Sequence, residues 1–212
     1  IKIDSDIANA HILPASLYYE PQWFQLQKEL ILARTWHFAI DSTLLESPSW
    51  VYPWTLLPSC LNEPFVFVRN QNEHISCLSN VCTHRGNLLM SKKGQNRFLQ
   101  CSYHGRCFDL NGHFISMPEF EGVSEFPSSQ DDLLSLPIAS WRQFLFTGLN
   151  PIYELPLKWI EERVGWLPIE EFQWDLNTSV DYVVEANWLL YCDNYLEGFH
   201  IPFVHPGLNA FL

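Results

Sequence analysis

The sequence predicts a mainly β domain followed by the opening of an α+β unit. Three observations carry that prediction. Short aromatic and β-branched runs recur from Trp50 to Leu149, turn-forming residues separate them, and helical apolar spacing is confined to the two ends of the chain. The organisation is a helical lead-in over residues 1–38, a β domain over 39–152, and the start of a further unit over 153–212.

Residues 19–37 are expected to be helical. Pro21 suits a first turn, and Phe24, Leu26, Leu30, Leu32 and Trp36 make an approximate apolar face without Gly. Phe65–Val68 then reads as a strand, Asn70–Glu73 as a turn and Ile75–Leu78 as the returning strand. Phe108–Leu110 faces Phe114–Ile115 across Asn111–Gly112, a dipeptide that favours a two-residue hairpin. Residues 116–137 hold three Pro with Ser and acidic residues and read as a long surface loop. Trp141–Leu149 is expected to be a strand, Leu157–Val164 a short helix, Trp174–Val184 a strand, and Asn187–Phe199 a helix stopped by Pro202.

Hydrophobic residues make up 47% and aromatics 15% of the 212 residues, enough for packed cores and against disorder. The formal net charge of −12 gives no attraction to nucleic acid or anionic lipid. With no apolar run of about 18 residues and no basic-then-apolar start, the chain reads as an acidic cytoplasmic protein with no membrane partner. It begins at Ile1 and ends in an apolar stretch at Leu212, so either end is expected to be a boundary within something longer. The six Cys are expected to serve ligation or burial rather than disulfides; Cys77 and Cys107 fall in strand patterns and read as core residues.

The chemistry is concentrated in Cys82-Thr83-His84-Arg85-Gly86 and Cys101-Ser102-Tyr103-His104-Gly105. The pattern is C-x-H-x16-C-x2-H, with one Cys and one His in each half. Two thiolates can hold one iron and two imidazoles the other, which is the ligation of a Rieske [2Fe–2S] cluster. Gly86 and Gly105 permit sharp turns directly after each His. Tetrahedral zinc is the metal alternative, but zinc fingers usually pair Cys with Cys and His with His, whereas each half here is mixed.

Asn80–Gly86, Cys101–Gly105 and the Asn111–Gly112 hairpin resemble the Rieske domain of ring-hydroxylating oxygenase α subunits. The resemblance implies a Rieske iron–sulfur β domain over 39–152, with residues 153–212 as the truncated start of a helix-grip, α+β catalytic domain. Respiratory Rieske proteins differ. They carry a Cys pair that crosslinks the two loops and a Ser after the second His-Gly, where this chain has Asn87, Tyr103 and Arg106. Fewer donors to the reduced cluster imply a potential near the lower end of the Rieske range, about −150 mV.

A second segment, Asn187-Trp188 followed by Cys192-Asp193-Asn194-Tyr195-Leu196-Glu197-Gly198-Phe199-His200 and His205, is similar to the mononuclear-iron motif of the same family. The resemblance implies that His200 and His205 bind Fe(II) as part of a facial triad, with a third carboxylate ligand expected beyond Leu212. It also implies that Glu197, three residues before His200, links a cluster His of one subunit (here His104) to His200 of a neighbour. Most of the family has Asp there. Asn194 is expected near the iron, and Asp193 is a weaker candidate for the bridge.

The implied function is an oxygenase component fed by an NAD(P)H-dependent reductase or a ferredoxin. It would use dioxygen to hydroxylate or demethylate a small organic substrate, in a head-to-tail homotrimer. The wording of residues 193–198 looks similar to choline- and carnitine-type monooxygenases. The alternative is a Rieske ferredoxin that transfers electrons without oxygenase activity, and the segment from Asn187 to His205 argues against it. Lys92, Lys93 and Arg97 could meet an acidic electron donor, though a solvated loop is the plainer reading.

Overall fold

The computed structural model describes residues 3–175 and 177–212 and divides into two compact units. One spans Leu30–Asp175; the other joins the residues up to Glu29 to those after Asp175.

The first unit is built on an antiparallel five-stranded sheet in the order β5-β2-β3-β4-β9. Its members are β2 (Trp50–Leu56), β3 (Glu63–Arg69), β4 (Ile75–Ser79), β5 (Gly94–Gln95) and β9 (Ser135–Leu136). β3 lies at the centre and pairs with β2 from Trp50↔Arg69 to Leu56↔Glu63. Because both faces of β3 are covered, Phe65, Val66, Phe67 and Val68 are all buried, and a continuous apolar run replaces alternation. Period-two geometry still sorts them. Val66 and Val68 join Val51, Leu78, Leu99 and Phe108 in one core, while Phe65 and Phe67 join Ile40, Leu56, Cys77 and Leu145 in the other.

Each core is closed by a three-stranded sheet. The sheet β6-β7-β8 combines β6 (Leu99–Gln100), β7 (Cys107–Phe108) and β8 (Phe114–Ser116) and contributes Leu99 and Phe108 to the first core. The sheet β1-β11-β10 combines β1 (His37–Asp41), β10 (Ile138–Trp141) and β11 (Phe144–Thr147) and contributes Ile40 and Leu145 to the second. Cys82 and Cys101 both belong to the Val66–Val68 core, so the two Cys/His loops grow directly out of packed structure.

Several expectations are corrected here. The lead-in helix is broken into α1 (Ser16–Tyr19), α2 (Pro21–Leu30) and a 3-10 turn at Leu32–Arg34. Glu20 is extended (φ −80°, ψ 126°), the conformation favoured before Pro21. The hairpin at Asn111–Gly112 has three loop residues, not two: Asp109 N–H donates to His113 O at 2.8 Å, and Gly112 takes φ +91° with the nearby Leu78 side chain leaving little room for a Cβ. Trp141–Leu149 is not one strand, because Arg142 (φ +52°) turns the chain between β10 and β11. The long loop is fastened at its end, where β9 pairs with β4.

In the second unit, α4 covers Trp188–Tyr195, and Asn187 caps it by accepting Leu189 N–H at 3.0 Å. The Trp188 indole donates to Gln27 Oε1 at 2.9 Å and the Tyr18 hydroxyl donates to Asp193, so the N-terminal segment packs on the C-terminal one. No strand forms among the described residues of 174–184. Pro202 does not stop a helix either. The helix ends at Tyr195, and Pro202 sits in the first turn of α5 (Ile201–Val204), where the missing N–H has no helical partner to lose. α3 (Leu157–Val164) matches its expectation, and α6 (Pro206–Asn209) follows α5. No helix among the described residues is long and apolar enough to cross a membrane.

Candidate functional site

The two Cys/His loops share one hydrogen-bond plan. In the first, Cys82 N–H donates to Asn87 O (2.8 Å) and Gly86 N–H returns to Cys82 O (3.0 Å), with the base closed by a bridge between Val81 and Leu88. In the second, Cys101 N–H donates to Arg106 O (2.8 Å) and Gly105 N–H returns to Cys101 O (3.0 Å), with the base closed by Gln100 against Cys107. Gly86 and Gly105 adopt φ of +69° and +74°, a left-handed conformation that costs other residues about 1 kcal/mol or more. The same turn therefore presents a thiol from its first residue on each side of the site.

These turns bring like to like. Cys82 and Cys101 share one buried core, and the His84 and His104 rings stand with centroids 4.8 Å apart. Each pair takes one member from each loop, as a cluster with sulfur on one iron and nitrogen on the other requires.

The environment fits an iron–sulfur group. His104 Nδ1 is buried and has no hydrogen-bond partner in the protein, a condition a metal bond would relieve. Desolvation, with His104, Arg85 and Arg106 nearby, holds the His84 imidazole below its usual value and so in the neutral, metal-binding form. Burial pushes the Cys82 thiol up, with the backbone N–H groups of His84 and Arg85 opposing. At Cys101 burial also raises, but N–H groups of Tyr103 and His104, the Cys82 thiol and the Asn87 amide outweigh it and hold the thiol low. Asn87 Nδ2 reaches across from the first loop to Cys101 Sγ at 3.6 Å.

Three contributors were not anticipated. Asn80 is buried and mimics a strand partner: its Nδ2 donates to Met90 O (2.7 Å) and its Oδ1 accepts Met90 N–H (2.8 Å), fixing the exit of the first loop. No local pattern marks it. Asn87 is the sulfur donor just described. Asp131 contacts both loops, and only its place in Ser128-x-x-Asp131, a helix-capping signature, hints at order there.

In the second unit the His200 and His205 rings lie 5.3 Å apart, nearly perpendicular. His200 precedes α5 and His205 separates α5 from α6, so two single-turn helices set their spacing. Glu197 Oε1 accepts from His200 Nδ1 at 2.6 Å, and Oε2 accepts from the backbone N–H of Phe199 and, at 3.3 Å, of His200. The His200 contact, with these amides, holds the Glu197 carboxyl below the usual range. Asn194 is exposed on the last turn of α4, and Asp193 is engaged by Tyr18.

Residues 57–127 match the Rieske [2Fe-2S] domain, and residues 170–212 match the catalytic domain of the ring hydroxylating alpha subunit. The chain thus carries a Rieske domain and part of a ring-hydroxylating α-subunit catalytic domain. The two domains imply a Rieske cluster and a mononuclear iron. Among its relatives, choline monooxygenase of Arabidopsis thaliana is 26% identical over 210 residues, 93% of this chain and 49% of that protein. The carnitine monooxygenase oxygenase subunit of Escherichia coli (strain K12) is 27% identical over 209 residues, 94% and 54% respectively. The chain thus spans about half the length of the curated relatives it matches. The fold is shared with a quaternary ammonium Rieske monooxygenase, CntA, crystallised with L-carnitine (TM-score 0.70, 24% identity, 97% of this chain and 59% of that one). It is also shared with naphthalene 1,2-dioxygenase from Rhodococcus sp. (TM-score 0.69, 20% identity, 92% and 46%).

Proposed function

We propose that this chain is the electron-receiving part of an oxygenase component, with Cys82 and Cys101 on one iron of a [2Fe–2S] cluster and His84 and His104 on the other. The observation that carries the reading is that two hydrogen-bonded loops bring both Cys into one buried core and set the His84 and His104 rings 4.8 Å apart. When bound, the cluster supplies single electrons and a ferrous ion activates dioxygen, leading to hydroxylation or demethylation of a small organic substrate.

The chain's own residues prepare both centres. Amide donors from His84, Arg85, Tyr103, His104 and Asn87 surround the two sulfurs, which favours the anionic thiolate a metal needs. In the second unit His200 and His205 are the proposed ferrous ligands. A carboxylate can only accept, so the His200 contact to Glu197 places the proton on Nδ1 and leaves Nε2 with a free lone pair. Glu197 thereby orients a ligand, and it is the proposed link to His104 of a neighbouring subunit in a head-to-tail homotrimer. Asn194 is the proposed neighbour of the iron.

Electrons are proposed to come from an NAD(P)H-dependent reductase or a ferredoxin. The acidic composition supports a cytoplasmic setting. The names of the relatives, together with residues 193–198, favour a quaternary ammonium substrate.

Electron paramagnetic resonance of the dithionite-reduced protein tests the cluster: a mixed-ligand signal with average g below the free-electron value is expected, and its absence overturns the reading. Iron content in a form as long as the relatives separates oxygenase from ferredoxin, at about three against two irons per chain. Oxygen uptake stimulated by choline, betaine or carnitine supports the substrate class; uptake with aromatic acids alone removes it.

A further inference from the structure

Both cluster loops are tied to one residue that lies outside them. Thr83 of the first loop donates its hydroxyl to the Asp131 carbonyl oxygen at 2.8 Å. Arg106, which closes the second loop, donates through Nη2 to the same carbonyl at 3.4 Å and to the Asp131 carboxylate in an ion pair. Asp131 is 48 residues from Thr83 and 25 from Arg106, so this clasp depends on the tertiary fold.

Neither end of the clasp is loose. Arg106 is 3% exposed, and its guanidinium sits among the rings of Phe114, Phe126 and Phe108, with centroids at 4.9, 5.6 and 5.8 Å. A cation in such a box gains from the ring faces and has few other orientations. Asp131 is held by Ser128, whose backbone N–H and hydroxyl reach Oδ2 at 2.8 and 3.1 Å. The next residues anchor the segment to the hairpin, through Phe114 N–H to Asp132 Oδ1 at 2.7 Å and Leu133 N–H to Gly112 O at 2.8 Å.

We propose that Asp131 is a positioning residue that staples the two cluster loops together, and that its ion pair with Arg106 balances the charge beside the cluster and so sets its reduction potential. The inference rests on the cluster assignment above. The clasp through Asp131 joins the two loops by hydrogen bonds and an ion pair alone. Adding an electron adds negative charge, so a fixed cation nearby favours reduction and a fixed anion opposes it.

The two partners therefore predict shifts of opposite sign, which a purely structural contact does not. In the cluster-loaded chain, Arg106→Gln is expected to lower the potential and Asp131→Asn to raise it, while Arg106→Lys, which keeps the charge, stays near the parent value. All three, and the neutral Thr83→Val, are expected to bleach faster than the parent under mild chelation. The expected factor is about tenfold, the scale on which contacts behind metal ligands act. Potentials are read by redox titration of the visible spectrum, and circular dichroism reports folding. Should Arg106→Gln fail to fold, Asp131→Asn against Arg106→Lys retains the contrast. Shifts of one sign, or loaded variants that match the parent in potential and bleaching, overturn the staple alone. A parent chain that takes up no cluster overturns the ligand assignment and the staple together.

Discussion

The cluster loops and the His200–His205 segment are both candidate metal sites, yet they are built in opposite ways. The loops take ligands from two segments 16 residues apart, repeat one turn geometry, bury both thiols in a core and receive outside support from Asn80, Asn87 and Asp131. The His pair comes from one short stretch. Two single-turn helices space it, Glu197 steadies one ring, and its apolar neighbours Phe199 and Phe203 are 85% and 87% exposed. A site whose ligands converge from separate segments needs a framework that overdetermines their positions. A site read from consecutive turns can be set locally, but only loosely.

The sharpest way to break this comparison is to remove one ligand from each. Cys101→Ser is expected to abolish the visible absorption and the paramagnetic signal of the cluster entirely. His205→Ala is expected to leave both intact and to lose only ferrous binding, measured by iron content in a form as long as the relatives. Loss of the cluster in His205→Ala would show that the two sites are not independently built.

Support comes next. Asn80→Ala strands the Met90 N–H and C=O and is expected to cost about 2–4 kcal/mol in denaturant unfolding of the loaded chain. Glycine positions sharpen the contrast at smaller scale. Gly105→Ala forces a Cβ into φ +74° with Pro118 Cγ at 3.4 Å and is expected to cost about 1–2 kcal/mol. Gly198→Ala, beside the His pair, meets only Ile201 Cδ1 at 3.6 Å and is expected to be near neutral.

The smallest effect is electrostatic. A hydrogen bond from His113 to Asp132, with Asp109 nearby, holds the His113 imidazole above its ordinary value. Its contribution to stability is complete below the unfolded imidazole value of about 6.5 and is lost as pH rises through the higher folded value. NMR titration is expected to place His113 above 6.5 and to move it down toward that value in Asp132→Asn, with Asp109 still raising it. This pair was not legible in the sequence, because Asp132 lies 19 residues from His113 and only the fold brings them together.

What could be read early was local. Paired Cys/His turns ending in Gly, the continuous apolar run at Phe65–Val68 and the helix at Leu157–Val164 all follow from short-range sterics and burial, and the structure bears those elements out. The misread elements share a cause. The break at Glu20–Pro21, the turn at Arg142 and the new helix beginning before Pro202 depend on single backbone conformations that apolar periodicity does not encode.

By itself, then, the order of residues determined which side chains could serve as ligands and where the chain must bend to offer them, because thiols, imidazoles and glycine turns act within a few residues. Only the tertiary structure decided which of those side chains meet. It set Cys82 and Cys101 in one core and the His84 ring beside that of His104, and it brought Asp131 to both loops, because those placements span sequence separations that only the packing of β3 between two cores can close.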